Sequence, residues 1–282
     1  MSKTSITVFI SGSSGAGKNT IINRLLNELE NSEFIVSNTT RAQRESDRKV
    51  GQYKFITKQE FEEKIKNGDI LEYDIYNGNY YGLSKKDITE NTDNNKILLK
   101  DITVKGVINC KELLKDVIPL CSVFVTERKR VLKQRLIERG ENKKNIKKRL
   151  SVYKAEQEIA PFYDFKVTNN QLEKAIEEVK AIINTRKNNL PILTNISCQE
   201  INQKKIDKYV NKLEKGKKLK PVVVGAYNNR VYILEGINRY LAYVKCNKDF
   251  CMHFSAKNYK INPKEDNNTE WLKIVSNYDQ HK

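Results

Sequence analysis

Gly12-Ser13-Ser14-Gly15-Ala16-Gly17-Lys18-Asn19-Thr20 decides how this chain is read. A β-branched run, Ile6 to Ile10, precedes it. After it, Thr20 to Leu29 places Ile21, Ile22, Leu25, Leu26 and Leu29 on one helical face. Strand, glycine loop and helix together make a phosphate cradle. The glycines let successive backbone N–H groups converge, the helix N-terminus adds partial positive charge, and a lysine in the place of Lys18 reaches the β and γ oxygens of a nucleotide. Gly12, Ser14, Gly15, Ala16, Gly17, Lys18, Asn19 and Thr20 are therefore the expected contacts of a nucleoside triphosphate. Asn19 stands where a hydroxyl that helps hold Mg²⁺ is expected. An amide carbonyl is a weaker oxygen ligand and Mg²⁺ keeps several waters, so metal use is expected to survive with reduced affinity.

Outward from the loop, strand-like and helix-like segments alternate. Strands are expected at Phe34 to Val36, Lys54 to Ile56, Ile97 to Leu99 and Val123 to Val125. Helices are expected at Lys58 to Asn67, Lys129 to Arg139, Lys143 to Glu158 and Gln171 to Thr185. That alternation implies a layered α/β domain. The polar stretch Asn184 to Pro191 reads as a linker. A smaller unit follows, with a helix around Asn202 to Lys215, strands Pro221 to Val224 and Val231 to Leu234 about a turn at Tyr227 to Arg230, and a helix from near Asn238. The tail from Pro263 is polar, with Trp271, Leu272 and Ile274 as its docking residues and part of its length expected to be flexible. The expected division is residues 1–186, 187–262 and 263–282.

Composition sets bounds on this division. The 282 residues carry a net charge of +17, with 38% apolar and 9% aromatic residues, enough to build more than one core and far from a wholly disordered chain. No apolar stretch approaches the ~20 residues of a membrane span. The N-terminus has no secretory pattern, so a cytoplasmic protein with no membrane partner is expected. Residues 1–187 contribute +9 and the much shorter 188–282 contribute +8. Such a balance favours phosphate-bearing partners, nucleotides or nucleic acid, or reflects solvating lysines spread over the surface. Cys110, Cys121, Cys198, Cys246 and Cys251 are odd in number and irregular in spacing, as reduced core thiols are, and Cys246, Cys251 and His253 lack a fourth metal ligand.

Between the loop and residue 185 the chain resembles the guanylate kinases. The resemblance is carried by Val36-Ser37-Asn38-Thr39-Thr40-Arg41-Ala42-Gln43-Arg44, then Gly51-Gln52-Tyr53-Lys54-Phe55, Phe61, Leu71-Glu72-Tyr73 and Gly78-Asn79-Tyr80-Tyr81-Gly82. It implies a P-loop nucleoside monophosphate kinase fold with a parallel core sheet, ATP with Mg²⁺ at the loop, and GMP or dGMP as acceptor. A phosphate monoester calls for bidentate and phenolic donors, and Arg41, Arg44, Tyr53 and Tyr81 supply them. By the same resemblance Glu72 accepts from the guanine N1–H and exocyclic amine, Ser37 faces the base oxygen, Asp101 belongs to the acceptor site, and Arg135, Arg139 and Arg149 form a lid that neutralises the transferred group. Two positions depart from the family: Leu83 replaces a Ser or Thr, and Thr103 replaces the second acid of the segment that contains Asp101. Both weaken the expected preference for guanine.

Lys217-Lys218-Leu219-Lys220-Pro221 through Val224, then Val231 to Glu235-Gly236-Ile237-Asn238-Arg239 to Ala242, resembles the ParB/sulfiredoxin-like α+β fold over residues 190–258. The resemblance implies a phosphate site at Glu235, Gly236 and Arg239, and with the local charge a nucleic acid or second nucleotide as partner. Ile237 takes the place of the sulfiredoxin cysteine, and Ile237 with Asn238 takes the place of the ParB acid and paired arginines. Neither redox activity nor a partition-type switch is expected. Glu235 is open to three roles: general base, metal ligand or helix cap. The leading expectation for the chain is an ATP-dependent GMP/dGMP kinase. Its alternatives are a same-fold kinase for a different or modified nucleotide and a non-catalytic nucleotide- or nucleic-acid-binding regulator.

Overall fold

Ile6 to Ile10 are all buried because their strand is covered on both faces, as the unbroken apolar run requires. In the computed structural model, which describes residues 5–43, 53–76, 78–90, 95–114, 118–256, 261 and 265–279, the chain forms two compact units. One comprises Met1–Ser11 with Lys18–Ser122, the other Gly12–Gly17 with Val123–Lys282.

In the first unit the chain runs β1 (Ile6–Gly12, whose last residue belongs to the second unit), α1 (Lys18–Glu28), β2 (Ser32–Phe34), β3 (Ser37–Thr39), β4 (Tyr53–Phe55), α2 (Lys58–Lys66), β5 (Ile70–Tyr76), β6 (Asn79–Ser84), α3 (Lys85–Thr89), β7 (Ile97–Asp101) and α4 (Val104–Leu114). β8 (Leu120–Thr126) begins here and ends in the second unit. β7 lies between β1 and β2, parallel to both, with Ile10 beside Asp101 and Phe34 beside Leu99. A separate four-stranded sheet has the order β4-β3-β6-β5. Only its β3–β4 pair is parallel, and a bulge between Ile70 and Glu72 sets Glu72 opposite Leu83. α2 starts in a capping box, with Thr57 and Glu60 each taking the other's orphan N–H.

The second unit continues with α5 (Lys129–Glu138), α6 (Lys143–Ser151), α7 (Tyr153–Ile159), β9 (Phe165–Thr168), α8 (Leu172–Lys187), β10 (Leu193–Thr194), α9 (Gln203–Glu214), β11 (Val222–Tyr227), β12 (Arg230–Glu235), α10 (Ile237–Lys245), β13 (Met252–Phe254) and α11 (Glu265–Asp279). Its strands pair in the order β10-β12-β11-β13-β9-β8. The sheet is mixed: β8, β9, β13 and β11 pair in parallel, as do β10 and β12, and the antiparallel pair is the hairpin expected about Tyr227 to Arg230. β11 and β12 are joined by Asn228-Asn229 with φ of 46° and 55°, and a two-residue turn with both φ positive closes only an antiparallel pair. β13 adds in parallel to β9, Met252 beside Phe165.

Two local expectations change. The helix expected over Lys143 to Glu158 divides at Val152 into α6 and α7. The tail, expected to be flexible in part, carries α11, and its Trp271 is fully buried: the ring lies 5.6 Å from that of Tyr240 and Nε1 donates to Ile192 O at 2.9 Å. Leu272 is exposed.

Candidate functional site

The phosphate loop is held from its outer side. Gly12 has φ 134° and passes so close to β8 that a Cβ would stand 1.9 Å from Val125 O, so no other residue fits. Ser13 N donates to Val125 O at 3.1 Å, and Asn169 Nδ2 donates to Ala16 O at 2.7 Å. A Cβ on Gly17, φ 89°, would meet that same Asn169 amide at 2.6 Å. Lys18, Asn19 and Thr20 form the first turn of α1, the latter two exposed. Carbonyl and hydroxyl oxygens at a helix start are hard donors that suit Mg²⁺ carried on nucleotide phosphates.

Two of the three expected lid arginines touch this region. Arg135 Nη2 donates to Asn169 O at 2.8 Å, beside the residue that anchors the loop. Arg149 Nη1 donates to Ser14 Oγ at 3.4 Å, while its Nε pairs with Glu141 at 2.7 Å. Arg139 is exposed at the end of α5, its backbone N–H closing the helix. The arginines thus stand near the loop on α5 and α6, the helices that follow β8.

Residues the sequence reading did not single out border the loop. Gln157 Nε2 reaches Thr126 Oγ1 at 2.9 Å and Ser13 Oγ at 3.3 Å, and its Oε1 accepts from Lys166 Nζ at 2.9 Å. Thr126, Gln157 and Lys166 line a cleft of about 470 Å³ together with Glu127, Arg128 and Tyr153. Glu127 is 5% exposed; Oε1 accepts from Arg128 N at 2.6 Å, and Oε2 has no hydrogen-bond partner. Ligands in parallel sheets bind beyond the carboxyl ends of the strands, which is where β8 and β9 end here. The signal for Asn169 was its place just after the strand Phe165–Thr168.

The described residues among those expected to hold the acceptor lie in the first unit. Ser37 on β3 lies beside Tyr53 of β4, and Thr39 beside Tyr81 of β6. Arg41 stacks over the rings of Tyr53 and Phe55, 5.4 Å from each centroid, and donates through Nη1 to Ala42 O. The Tyr53 and Tyr81 rings meet edge to face at 5.9 Å. A guanidinium among phenol rings is what a phosphate monoester needs. Arg44 lies outside the described residues.

Glu72 is half-buried on β5 and reaches over the start of α4, where a Cβ on Gly106 would come within 2.7 Å of its Oε2. Its charge and burial, burial the larger, push the Cys110 thiol up to about 12. Asp101 ends β7. Leu83 is fully buried, and Thr103 Oγ1 accepts from Gly106 N at 3.1 Å, so its hydroxyl is engaged at the helix start.

In the C-terminal part Gly236 has φ 94° and caps α10. The guanidinium of Arg239 folds over it, where a Cβ on Gly236 would stand 2.5 Å from Nη2, and Nη2 donates to Pro221 O at 3.0 Å. Glu235 is exposed.

Known proteins fall into line with the first 186 residues. The family profile described as guanylate kinase matches residues 4–186. A guanylate kinase of Helicobacter pylori is 36% identical over 181 residues, 63% of this chain and 86% of that protein. One from Clostridium tetani is 35% identical over 183 residues, 64% and 86% of the two chains. A crystal structure of guanylate kinase from Anaplasma phagocytophilum aligns with 64% of this chain and 85% of that one at 26% identity, with a TM-score of 0.48. Among the described residues no helix is long and apolar enough to cross a membrane.

Proposed function

We propose that this chain, which belongs to the guanylate kinase family through residues 4–186, transfers the γ-phosphoryl group of ATP to GMP or dGMP. The observation that carries the reading is the loop Gly12–Lys18. Ser13 N–H is tied to Val125 O and Ala16 O to the Asn169 amide, and α1 starts at Lys18, so the loop opens directly into a helix N-terminus.

Phosphoryl transfer passes through a loose transition state, so the protein contributes position and positive charge. Lys18 and the loop amides hold the β and γ phosphates, and Arg135 and Arg149, with Arg139 on closure, neutralise the moving group. The cleft lined by Glu127, Tyr153 and Lys166 has room for the donor's nucleoside. Arg41, Tyr53 and Tyr81, with Arg44, hold the acceptor phosphate; Glu72, Ser37 and Asp101 serve its base. Mg²⁺, bound through the nucleotide and the oxygens of Asn19 and Thr20, would offset charge between the β and γ oxygens.

ADP release measured with GMP, dGMP, AMP, CMP, UMP and dTMP, with Lys18→Ala as blank, tests this. Turnover confined to the guanine nucleotides is expected. Turnover on another or a modified base would favour the second reading, to which the buried Leu83 lends support. No turnover with any acceptor would leave a nucleotide-binding regulator.

Residues 187–262 fit a ParB/sulfiredoxin-like module in one respect: a hairpin, a left-handed Gly236 and a helix carry Arg239 to the turn. Salt-dependent binding of nucleic acid or of a second nucleotide, lost in Arg239→Ala, is the corresponding test.

A further inference from the structure

One face of α9 is basic along its length. Lys204, Lys208 and Lys212, with Lys215 and Lys217 just past the helix end, line a groove of about 540 Å³ together with Asp207 and Asn211. Steps of four and three residues keep these side chains on one face, and from Lys204 to Lys215 the row runs about 17 Å at the rise of a helix. Among the described residues none of the five lysines pairs with a carboxylate. The acid in the groove, Asp207, accepts from Gln203 Nε2 at 2.8 Å and stands 3.4 Å from Lys245 Nζ on α10, so its charge is offset from outside the row. Helix stability does not explain the row. Lys204 with Lys208, and Lys208 with Lys212, are like charges four residues apart, and Lys204 in the first turn opposes the positive end of the helix. Packing does not use these ammoniums either: α9 turns Ile206 and Leu213 into the core and meets α10, where Asn202 N donates to Asn238 Oδ1 at 2.7 Å.

We infer that this face of α9 is a docking surface for the sugar–phosphate backbone of double-stranded DNA. The inference deepens the nucleic-acid reading of residues 187–262 and moves the contact away from Arg239, whose Nη2 is engaged with Pro221 O. Duplex DNA carries one charge per ~1.7 Å of its axis, so a straight row of ammoniums meets several phosphates at once. The groove holds no arginine for a bidentate grip on one phosphate or on a base edge, so the contact positions the duplex without reading its sequence. A single strand calls for aromatic platforms, and Tyr209 of α9 is half-buried with Lys212 Nζ 5.9 Å from its ring centroid. An RNA duplex is met through its 2′-OH groups, for which Asn211 is the one neutral polar side chain in the groove. A lipid surface needs an exposed apolar face, and on α9 Ile206 and Leu213 are buried and Val210 half-buried.

Fluorescence anisotropy of the full chain with a labelled DNA duplex of arbitrary sequence, titrated with salt, tests this. The wild-type chain is expected to bind with log K falling against log salt at a slope of about −4 to −5, from five lysines at ~0.9 each. Lys208→Gln/Lys212→Gln should weaken binding on the order of 10-fold at low salt and make the slope shallower by about 2, with melting temperature and GMP turnover kept. Lys208→Arg/Lys212→Arg, which keeps the charge, should bind as the wild type does. Lys58→Gln/Lys66→Gln on α2 makes the same change of net charge elsewhere and should leave binding within about two-fold. An equal loss in that control shows that overall charge carries the binding, and the inference falls. It falls also if single-stranded DNA, an RNA duplex, polyglutamate or phosphatidylserine vesicles are bound as tightly as duplex DNA. Loss of binding in Arg239→Ala with full binding in Lys208→Gln/Lys212→Gln overturns this surface and keeps the nucleic-acid reading, whereas a wild-type chain that binds no nucleic acid refutes both.

Discussion

Two glycine turns in this molecule lead into helices and carry a basic residue close by, and they treat their donors in opposite ways. At Gly12–Lys18 the outer groups of the loop are spent on Val125 and Asn169, and the start of α1 follows. At Gly236 the basic residue is turned inward, with Arg239 Nη2 on Pro221 O and its guanidinium packed over the glycine. What separates the two is which groups the rest of the fold has already engaged.

The widest separation is expected from the basic residues. Lys18→Ala should lower kcat by roughly 10³-fold, the scale of one preorganised transition-state donor, with its melting temperature unchanged. Arg239→Ala should leave GMP turnover within about two-fold and lower the melting temperature. A large loss of turnover in Arg239→Ala would break the distinction. The glycines come next. Gly12→Ala drives a Cβ into backbone and should abolish turnover, whereas the Cβ of Gly236→Ala meets a flexible side-chain end and costs chiefly the φ strain, ~1–3 kcal/mol by chemical denaturation.

A smaller effect concerns the acceptor side. Glu72→Gln should cut kcat/KM for GMP about 100-fold and narrow its lead over AMP, read from parallel steady-state assays. Smallest is a pH effect near the C-terminal strand. His253 on β13 is held down at about 4 by burial and then by Lys166. Its folded pKa lies below the ordinary value of 6.5, so the stability it lends is present above pH 6.5 and is lost as pH falls toward 4. His253→Gln should flatten that part of a melting-temperature profile.

Much of the candidate site is legible in the chain because its proposed residues are tied to short motifs: the loop, Arg41, Glu72 and the two tyrosines each sit in a segment whose spacing survives folding. The elements seen early were likewise those with local signals, such as the apolar faces of α1 and α8. What stayed hidden depends on distant pairing. Asn169 acts on a loop some 150 positions earlier, and Gln157 joins Ser13 to Lys166. The break at Val152 was missed because α6 and α7 together keep an almost unbroken helical pattern.

The pairing of β13 with β9 also bears on how the chain is made. During synthesis β9 leaves the ribosome well before Met252–Phe254, a gap on the order of ten seconds at about 5–20 residues per second. Through that interval one side of β9 is an unsatisfied edge, open to any neighbouring strand. Lys166, at the centre of β9, puts a charge on that edge while it waits. A ribosome that stalls before residue 252 would release a chain with its loop and its arginines in place and one sticky border uncovered.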